Sequence, residues 1–192
     1  MYQGQLQWKA IVVLLLLAMT WGGNMAFINI AEREIAPLFM CGLRSAVASL
    51  LIALWMRFRK IPLFPGGRLV VHGAVVGFLF GSEFALIYAG LEYTLASRTY
   101  ILVYTAPFFV ALGAHFFLSG DRLNRWKLIG LTVAFLGVSL LFVNNRGASP
   151  ARMLVGDLMA LAAGALWAAT TIYIKRYLVG RATPMQTLFY QV

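Results

Sequence analysis

Acidic residues and cysteine are scarce in this sequence. Only 6 of its 192 residues are Asp or Glu, 11% are charged, and Cys41 is the single cysteine. One cysteine cannot form an intramolecular disulfide, and without a second thiol or a nearby His/Asp cluster it does not indicate a metal site. We therefore expect Cys41 to pack as a small apolar side chain, and we predict no metal and no cofactor.

Apolar residues are abundant instead. Hydrophobic residues make up 61% of the chain, and the mean hydropathy of +0.82 exceeds what a soluble domain needs for its core. A soluble domain of this size would expose much of that surface to water. Several helices of about 20 residues would bury it in about 30 Å of hydrocarbon. The composition therefore predicts an integral membrane protein.

The formal net charge of +10 comes from basic residues that stand in short clusters between apolar runs. A nucleic-acid-binding protein would carry them as a stripe or patch on a polar surface. Basic clusters in alternate loops are instead the orientation signal of a protein with several membrane spans. We predict the lipid bilayer as a partner and no nucleic acid.

Six apolar segments follow one another, and each is long enough to cross the bilayer as a helix that satisfies its own backbone hydrogen bonds. A seventh begins near Pro184 and is cut off at Val192. The connections are short, so neighbouring spans should pack antiparallel. The predicted spans are residues 8–28, 36–55, 69–91, 99–118, 126–143 and 155–173.

The loops differ in their content of Lys and Arg. The loops after the second, fourth and sixth spans are richer in basic residues than the alternate loops, which predicts a cytoplasmic N-terminus in the cell (inner or plasma) membrane. The residues that carry this bias are Arg57, Arg59, Lys60, Arg68, Arg122, Arg125, Lys127, Lys175, Arg176 and Arg181.

The sixth span repeats features of the first. Trp167 echoes Trp21, and Pro184 echoes Pro37, at an offset of about 146 residues. The two copies are five spans apart, an odd number, so the second copy would enter the membrane from the opposite side, as in the inverted repeats of secondary transporters. A Trp in an apolar run and a Pro after a loop also coincide by chance, and these residues alone leave both explanations open.

Several short motifs occur in a fixed order along nearly the whole chain. In this order they resemble the drug/metabolite transporter superfamily, in its EamA-type branch. The motifs are WGGN at residues 21–24, Pro37 with Arg44 and Ala48, YAGLEYTLAS at 88–97, Pro107, GDRL at 120–123, Gly130 with GV at 137–138, and GDL at 156–158 with Trp167.

The resemblance implies an all-α polytopic helical bundle of ten helices in two inverted five-helix halves, with both termini cytoplasmic. Residues 8–143 would form the first repeat, and residues 155–192 would begin the second. The implied function is secondary-active transport, and export in particular, of small metabolites such as amino acids. Because the seventh span is incomplete, we expect either a missing C-terminal half or a second chain as a partner.

Arg44 and Glu83 are the two charges well inside predicted spans. Polar side chains cost a few kcal/mol each in hydrocarbon and usually face a partner or a water-filled cavity. At about 1.5 Å of rise per residue, both lie about 10 Å below the outer face, level with Trp21 and Tyr104. Arg44 would bind a substrate carboxylate or phosphate, and Glu83 an ammonium group or a coupling proton. Alternatively, they form an interhelical pair that fixes the fold.

Further candidate residues surround this layer. Trp167 would face Trp21 as a second aromatic wall, unless each simply packs in the core or against lipid. Pro107 should kink the fourth span and act as a hinge. His115 is a candidate proton relay at the inner mouth or the partner of a structural hydrogen bond. The predicted cavity residues are Trp21, Asn24, Arg44, Glu83, Tyr88, Tyr104 and Trp167.

Catalytic motifs are missing. The sequence contains no glycine-rich phosphate loop, no zinc-binding histidine pair and no nucleophile elbow. Glu83 and His115 are the only candidate catalytic pair, and their predicted depths differ. We therefore predict that the chain is not an enzyme. An intramembrane enzyme and a structural or regulatory membrane subunit are the alternatives to a transporter.

Overall fold

The computed structural model describes residues 8–31, 35–118, 123–140 and 150–192, without the side chains of residues 9, 21–31, 37, 138 and 150. Over these residues the chain forms helices and no strand, which confirms the predicted all-helical fold. The helices are α1 (Trp8–Ala31), α2 (Pro37–Phe58), α3 (Arg68–Leu91), α4 (Ala96–Val103), α5 (Ala106–Phe117), α6 (Arg125–Ser139), α7 (Pro150–Tyr177) and α8 (Pro184–Gln191).

The chain divides into two compact units, Met1–Met40 and Cys41–Val192. In the first unit, α1 is a continuous helix of 24 residues that contains the apolar stretch Ala10–Thr20. Its leucines are exposed, as expected for a helix whose partner surface is hydrocarbon. The second unit contains most of α2 and all later helices.

Four helical stretches are long and apolar enough to cross a membrane. They coincide with the predicted second, third, fourth and sixth spans, and they support a multi-pass membrane protein. The described part of α6 has 15 residues, and residues 141–149 lie outside the described residues. Membrane crossing by the first and fifth segments therefore stays a prediction. The four stretches are Leu38–Phe58, Gly67–Leu91, Ala96–Phe117 and Ala151–Tyr177.

In the second unit, α7 packs against α3, α4 and α5. It runs antiparallel to α3, because contacts join opposite ends of the two helices. At one end Gly90 meets Gly156, where a Cβ on Gly156 would lie 2.8 Å from the Gly90 carbonyl oxygen. At the other end, His72 Nδ1 lies 2.8 Å from the Tyr173 hydroxyl. A buried apolar cluster between these ends comprises Ile87, Val103, Ala160 and Ala163.

The predicted fourth span is broken into α4 and α5 at Tyr104 and Thr105. Pro107 has no N–H to donate, and its ring excludes the carbonyl four residues earlier, that of Val103, from a helical hydrogen bond. The backbone N–H and the hydroxyl of Thr105 both donate to the Leu102 carbonyl, at 3.1 and 2.6 Å. The chain therefore turns tightly here before the helix resumes.

Helix α8 begins at Pro184, where the seventh apolar segment was predicted. Thr183 and Gln186 form a reciprocal capping box at its start. The Gln186 amide also donates to the Pro62 carbonyl at 2.8 Å, and the Tyr190 hydroxyl donates to the Leu63 carbonyl at 3.3 Å. These bonds hold α8 against the connection between α2 and α3.

Candidate functional site

Glu83 is a buried carboxylate in the middle of α3. Its side chain is 4% exposed, and its Oε2 atom has no hydrogen-bond partner among the described residues. Ile87, one turn further along α3, packs with Ala160 and Ala163 of α7. Alanine side chains cannot donate a hydrogen bond. A buried carboxylate without a partner is costly, so this oxygen is suited to binding a proton or a cationic group.

The register of α3 and α7 gives the depth of Glu83. Counting inward by equal numbers of residues from the Gly90–Gly156 contact places Glu83 opposite Ala163. The same count from the His72–Tyr173 contact places it opposite Ala162. The two counts agree to within one residue of α7, so Glu83 lies well inside the length of the α3–α7 contact.

Arg44 reaches this region from α2. Its guanidinium carbon lies 4.0 Å above the centre of the Phe84 ring, next to Glu83 in the chain, in a cation–π contact. Arg44 and Glu83, both among the described residues, do not form a salt bridge with each other. Of the two predicted roles, a direct interhelical ion pair is therefore not formed in this arrangement.

Tyr88 continues an aromatic row on α3. The ring centres of Phe80 and Phe84 are 4.8 Å apart, and those of Phe84 and Tyr88 are 6.4 Å apart. This spacing of four residues places the three rings on one face of the helix. Tyr88 is buried. Arg44 and Tyr88 thus both contact the ring of Phe84, the residue after Glu83, and these residues make up a first group on α3.

A second group surrounds the break between α4 and α5. The rings of Tyr104 and Trp167 are 6.1 Å apart. Gly164 allows α7 to pass directly against the break, since a Cβ there would lie 3.0 Å from the Val103 carbonyl oxygen. Gly164 follows Ala163, the residue opposite Glu83. The break and Glu83 therefore meet the same turn of α7.

A cavity of about 550 Å³ lies beside the break, between α5, α6 and α7. Pro107, Lys127, Trp167 and Thr171 contribute to its largely apolar wall. Its volume falls within the range of small-molecule sites. Neither Arg44 nor Glu83 lines this cavity, so the structure brings the two groups to one layer without joining them in one described pocket.

Comparison with known proteins identifies the family. Residues 8–143 match the EamA-like transporter family. This chain belongs to that family. The resemblance predicted from the ordered motifs is therefore confirmed.

Individual relatives of this EamA-like chain are transporters by name. An uncharacterized transporter of Archaeoglobus fulgidus is 31% identical over 175 residues, which is 86% of this chain and 58% of the relative. A probable amino-acid metabolite efflux pump of Escherichia coli is 26% identical over 173 residues, 90% of this chain and 56% of the pump. This chain thus spans little more than half the length of these curated relatives.

The fold is also found in a solved structure. This chain superposes on one solved crystal structure of a protein with a TM-score of 0.69 and a sequence identity of 20%. The match covers 88% of this chain and 58% of the chain in the crystal structure. At this identity the likeness supports the fold alone. The family and the relatives' names indicate transporters rather than enzymes, while the absence of enzymatic activity stays a prediction.

Three other predicted site residues of the EamA-like chain do not contribute to the layer of Glu83 and the helix break in the described structure. The side chains of Trp21 and Asn24 are outside the described residues. His115 is exposed near the end of α5, where its Nδ1 lies 3.4 Å from the backbone nitrogen of Leu123. It lies about 12 Å along α5 from Pro107, so the arrangement matches the predicted structural hydrogen bond better than a relay to Glu83.

A polar network at the start of α7 was not among the predicted features. Asp157 accepts hydrogen bonds from the Thr94 hydroxyl at 2.8 Å and from Arg98 Nε at 3.2 Å. A second bond joins Arg98 Nη2 to the other carboxylate oxygen and completes a bidentate ion pair. Asp157 lies in the GDL motif, and an acidic residue there together with a basic residue just before the predicted fourth span was a signal for this pair.

His72 was also missed. Its ring stacks on Tyr177 with centres 4.8 Å apart and planes inclined by 14°. The hydrogen bond to Tyr173 adds a second link to the same helix. Two tyrosines spaced by four residues on α7 formed a recognisable aromatic face. These contacts bind α3 to α7 at the end opposite the Asp157 network.

Proposed function

We propose that this chain forms part of a secondary-active transporter that exports small metabolites related to amino acids. Membership of the EamA-like family supports transport. Relatives named probable amino-acid metabolite efflux pumps, from Escherichia coli and Salmonella typhimurium, support the substrate class. The observation that carries the proposal is the buried Glu83 oxygen without a partner among the described residues, with the guanidinium of Arg44 on the ring of the next residue, Phe84.

The two charged groups complement the two ends of an amino acid. Glu83 would accept hydrogen bonds from the ammonium group, and Arg44 would donate to the carboxylate in the planar geometry that guanidinium groups favour. The cost of a buried, unpaired carboxylate is offset when either an ammonium group or a proton binds. Substrate and proton would then compete for Glu83, so that proton entry drives substrate exit.

The broken fourth span would supply the moving part. Pro107 leaves α4 and α5 without a continuous hydrogen-bond ladder, and such breaks allow rotation between helical segments. Gly164 of α7 lies at the break, and Tyr104 and Trp167 flank it. In the proposed cycle α5 tilts at Pro107 while the Tyr104 and Trp167 rings open or close one side of the layer.

The placement in the membrane is part of the proposal. The excess of Lys and Arg in the loops after the second, fourth and sixth spans supports a cytoplasmic N-terminus in the cell membrane. An inverted second repeat beginning in residues 155–192, completed by further chain or by a second chain, would supply the opposite wall. We leave His115 out of the proton path because it is exposed and bonded near the loop.

The test is transport in proteoliposomes by the wild type, Glu83→Gln and Glu92→Gln. Both substitutions remove one carboxylate from the same part of the chain, but Glu92 is exposed at the end of α3. With a panel of labelled amino acids, we expect Glu83→Gln to abolish transport or its dependence on pH, and Glu92→Gln to retain both. Wild-type flux and pH response in Glu83→Gln would contradict the proposal.

A further inference from the structure

Two basic segments meet at one end of the second unit. The first, residues 57–68, runs from the end of α2 to the start of α3 and carries Arg57, Arg59, Lys60 and Arg68. The second, residues 175–181, runs from the end of α7 into its connection to α8 and carries Lys175, Arg176 and Arg181. Neither residues 57–68 nor residues 175–181 include an Asp or Glu. We call these two segments together the basic end.

Uncharged contacts join the first segment to α8, the helix that follows the second segment. The Gln186 amide donates to the Pro62 carbonyl, and the Tyr190 hydroxyl donates to the Leu63 carbonyl. His72, just inside α3, stacks on Tyr177, which lies within the second segment. The fold therefore places two positively charged segments at the same end of α3 and α7, with no acidic residue in either, and like charges there repel. An external anion would relieve that repulsion.

Exposed aromatic residues accompany these cations. Phe58 and Phe64 are 80% and 64% exposed. The guanidinium of Arg59 lies 5.0 Å from the centre of the Trp55 ring, and all four basic residues of the first segment are exposed. Basic and aromatic side chains at the ends of membrane helices occupy the headgroup level of the bilayer.

We propose that the basic end is a binding site for the phosphate of an anionic phospholipid headgroup. The cations of both segments would share the phosphate, and the acyl chains would lie against Phe58 and Phe64. A phospholipid fits better than a free phosphate ion, because the exposed rings adjoin the cations at the ends of membrane-length helices. The proposal does not depend on the transported substrate.

The consequence is a lipid-dependent stability. A phospholipid bound to both segments would link the α2–α3 connection to α8, alongside the bonds of Gln186 and Tyr190. A ligand that binds only the folded protein raises its unfolding temperature, and the rise grows with the ratio of ligand concentration to Kd. Phosphatidylglycerol should therefore stabilise the detergent-purified protein, and phosphatidylcholine, which has no net charge, should not.

The experiment measures thermal unfolding during titration with phosphatidylglycerol, phosphatidylcholine or glycerol phosphate. We compare the wild type with Arg59→Gln/Arg181→Gln, which removes one cation from each segment. Arg125→Gln/Lys127→Gln removes the same charge at α6 and is the matched control. None of these four side chains makes the hydrogen bonds of Gln186 or Tyr190.

We expect phosphatidylglycerol alone to raise the unfolding temperature. Arg59→Gln/Arg181→Gln should bind it about 30-fold more weakly, since each basic residue near an anionic lipid contributes about fivefold. The control should keep wild-type affinity. Equal weakening in both variants, unchanged affinity in Arg59→Gln/Arg181→Gln, or an equal effect of phosphatidylcholine would overturn the site. An equal effect of glycerol phosphate would overturn its assignment to a lipid.

Discussion

Two carboxylates at the α3–α7 contact have opposite environments. Asp157, at the start of α7, receives hydrogen bonds from Thr94 and Arg98. Glu83, deeper along the same pair of helices, has an oxygen with no partner in the described part of the chain. A fully paired carboxylate stabilises the fold, whereas an unpaired one lowers stability and is retained where binding requires it. The comparison separates a structural acid from a candidate functional one.

The matched pair of substitutions Asp157→Asn and Glu83→Gln should separate these roles most clearly. Asp157→Asn removes the ion pair with Arg98, and we expect the free energy of unfolding to fall by about 2 kcal/mol, since both side chains are partly accessible to solvent. Glu83→Gln removes a charge without a bonded partner, so stability should stay equal or rise. Unfolding in detergent, followed by circular dichroism, measures both. An equal loss of unfolding free energy in the two variants would contradict the distinction between a structural Asp157 and a functional Glu83.

The break beside Glu83 can be tested through Gly164. A Cβ in Gly164→Ala would lie 3.0 Å from the Val103 carbonyl oxygen, within the backbone of the break. Overpacking of this kind costs about 1–3 kcal/mol. Gly81→Ala is the control, because a Cβ there meets nothing within 4 Å among the described residues. If the two variants unfold alike, α7 does not pack against the break as described.

The smallest expected effect concerns the other end of the helix pair. His72→Phe keeps a ring to stack on Tyr177 but removes the hydrogen bond with Tyr173. We expect a loss of about 1 kcal/mol, the usual net contribution of one hydrogen bond. Tyr173→Phe removes the same bond from the other side and should cost as much. The double variant should then cost no more than either single one, and additive losses would argue against a shared bond.

Hydropathy predicted much of the fold, because a membrane helix can be recognised in the sequence from the length and apolar composition of its segment. The third span was predicted at residues 69–91 and is α3, Arg68–Leu91. The break in the fourth span was harder to place. Pro107 indicated a kink, but the break lies at Tyr104 and Thr105, since proline disrupts the bond of a carbonyl in the preceding turn.

The candidate site was less predictable. The sequence alone predicted Arg44 and Glu83 as site residues, because a charged side chain inside a membrane span costs free energy and usually has a function. The contact of Arg44 with Phe84 depends on how α2 is rotated, and the pairing of Arg98 with Asp157 depends on the register of α4 and α7. Neither rotation nor register is encoded in the periodicity of one helix. Both require the packing of the whole unit.

The most direct test of the central claim is proton release upon substrate binding. In weakly buffered detergent solution, addition of a transported amino acid should release protons from the wild type and from Asp157→Asn. Glu83→Gln should release none, because proton and substrate would bind the same Glu83 oxygen. Proton release of wild-type size from Glu83→Gln would contradict that assignment.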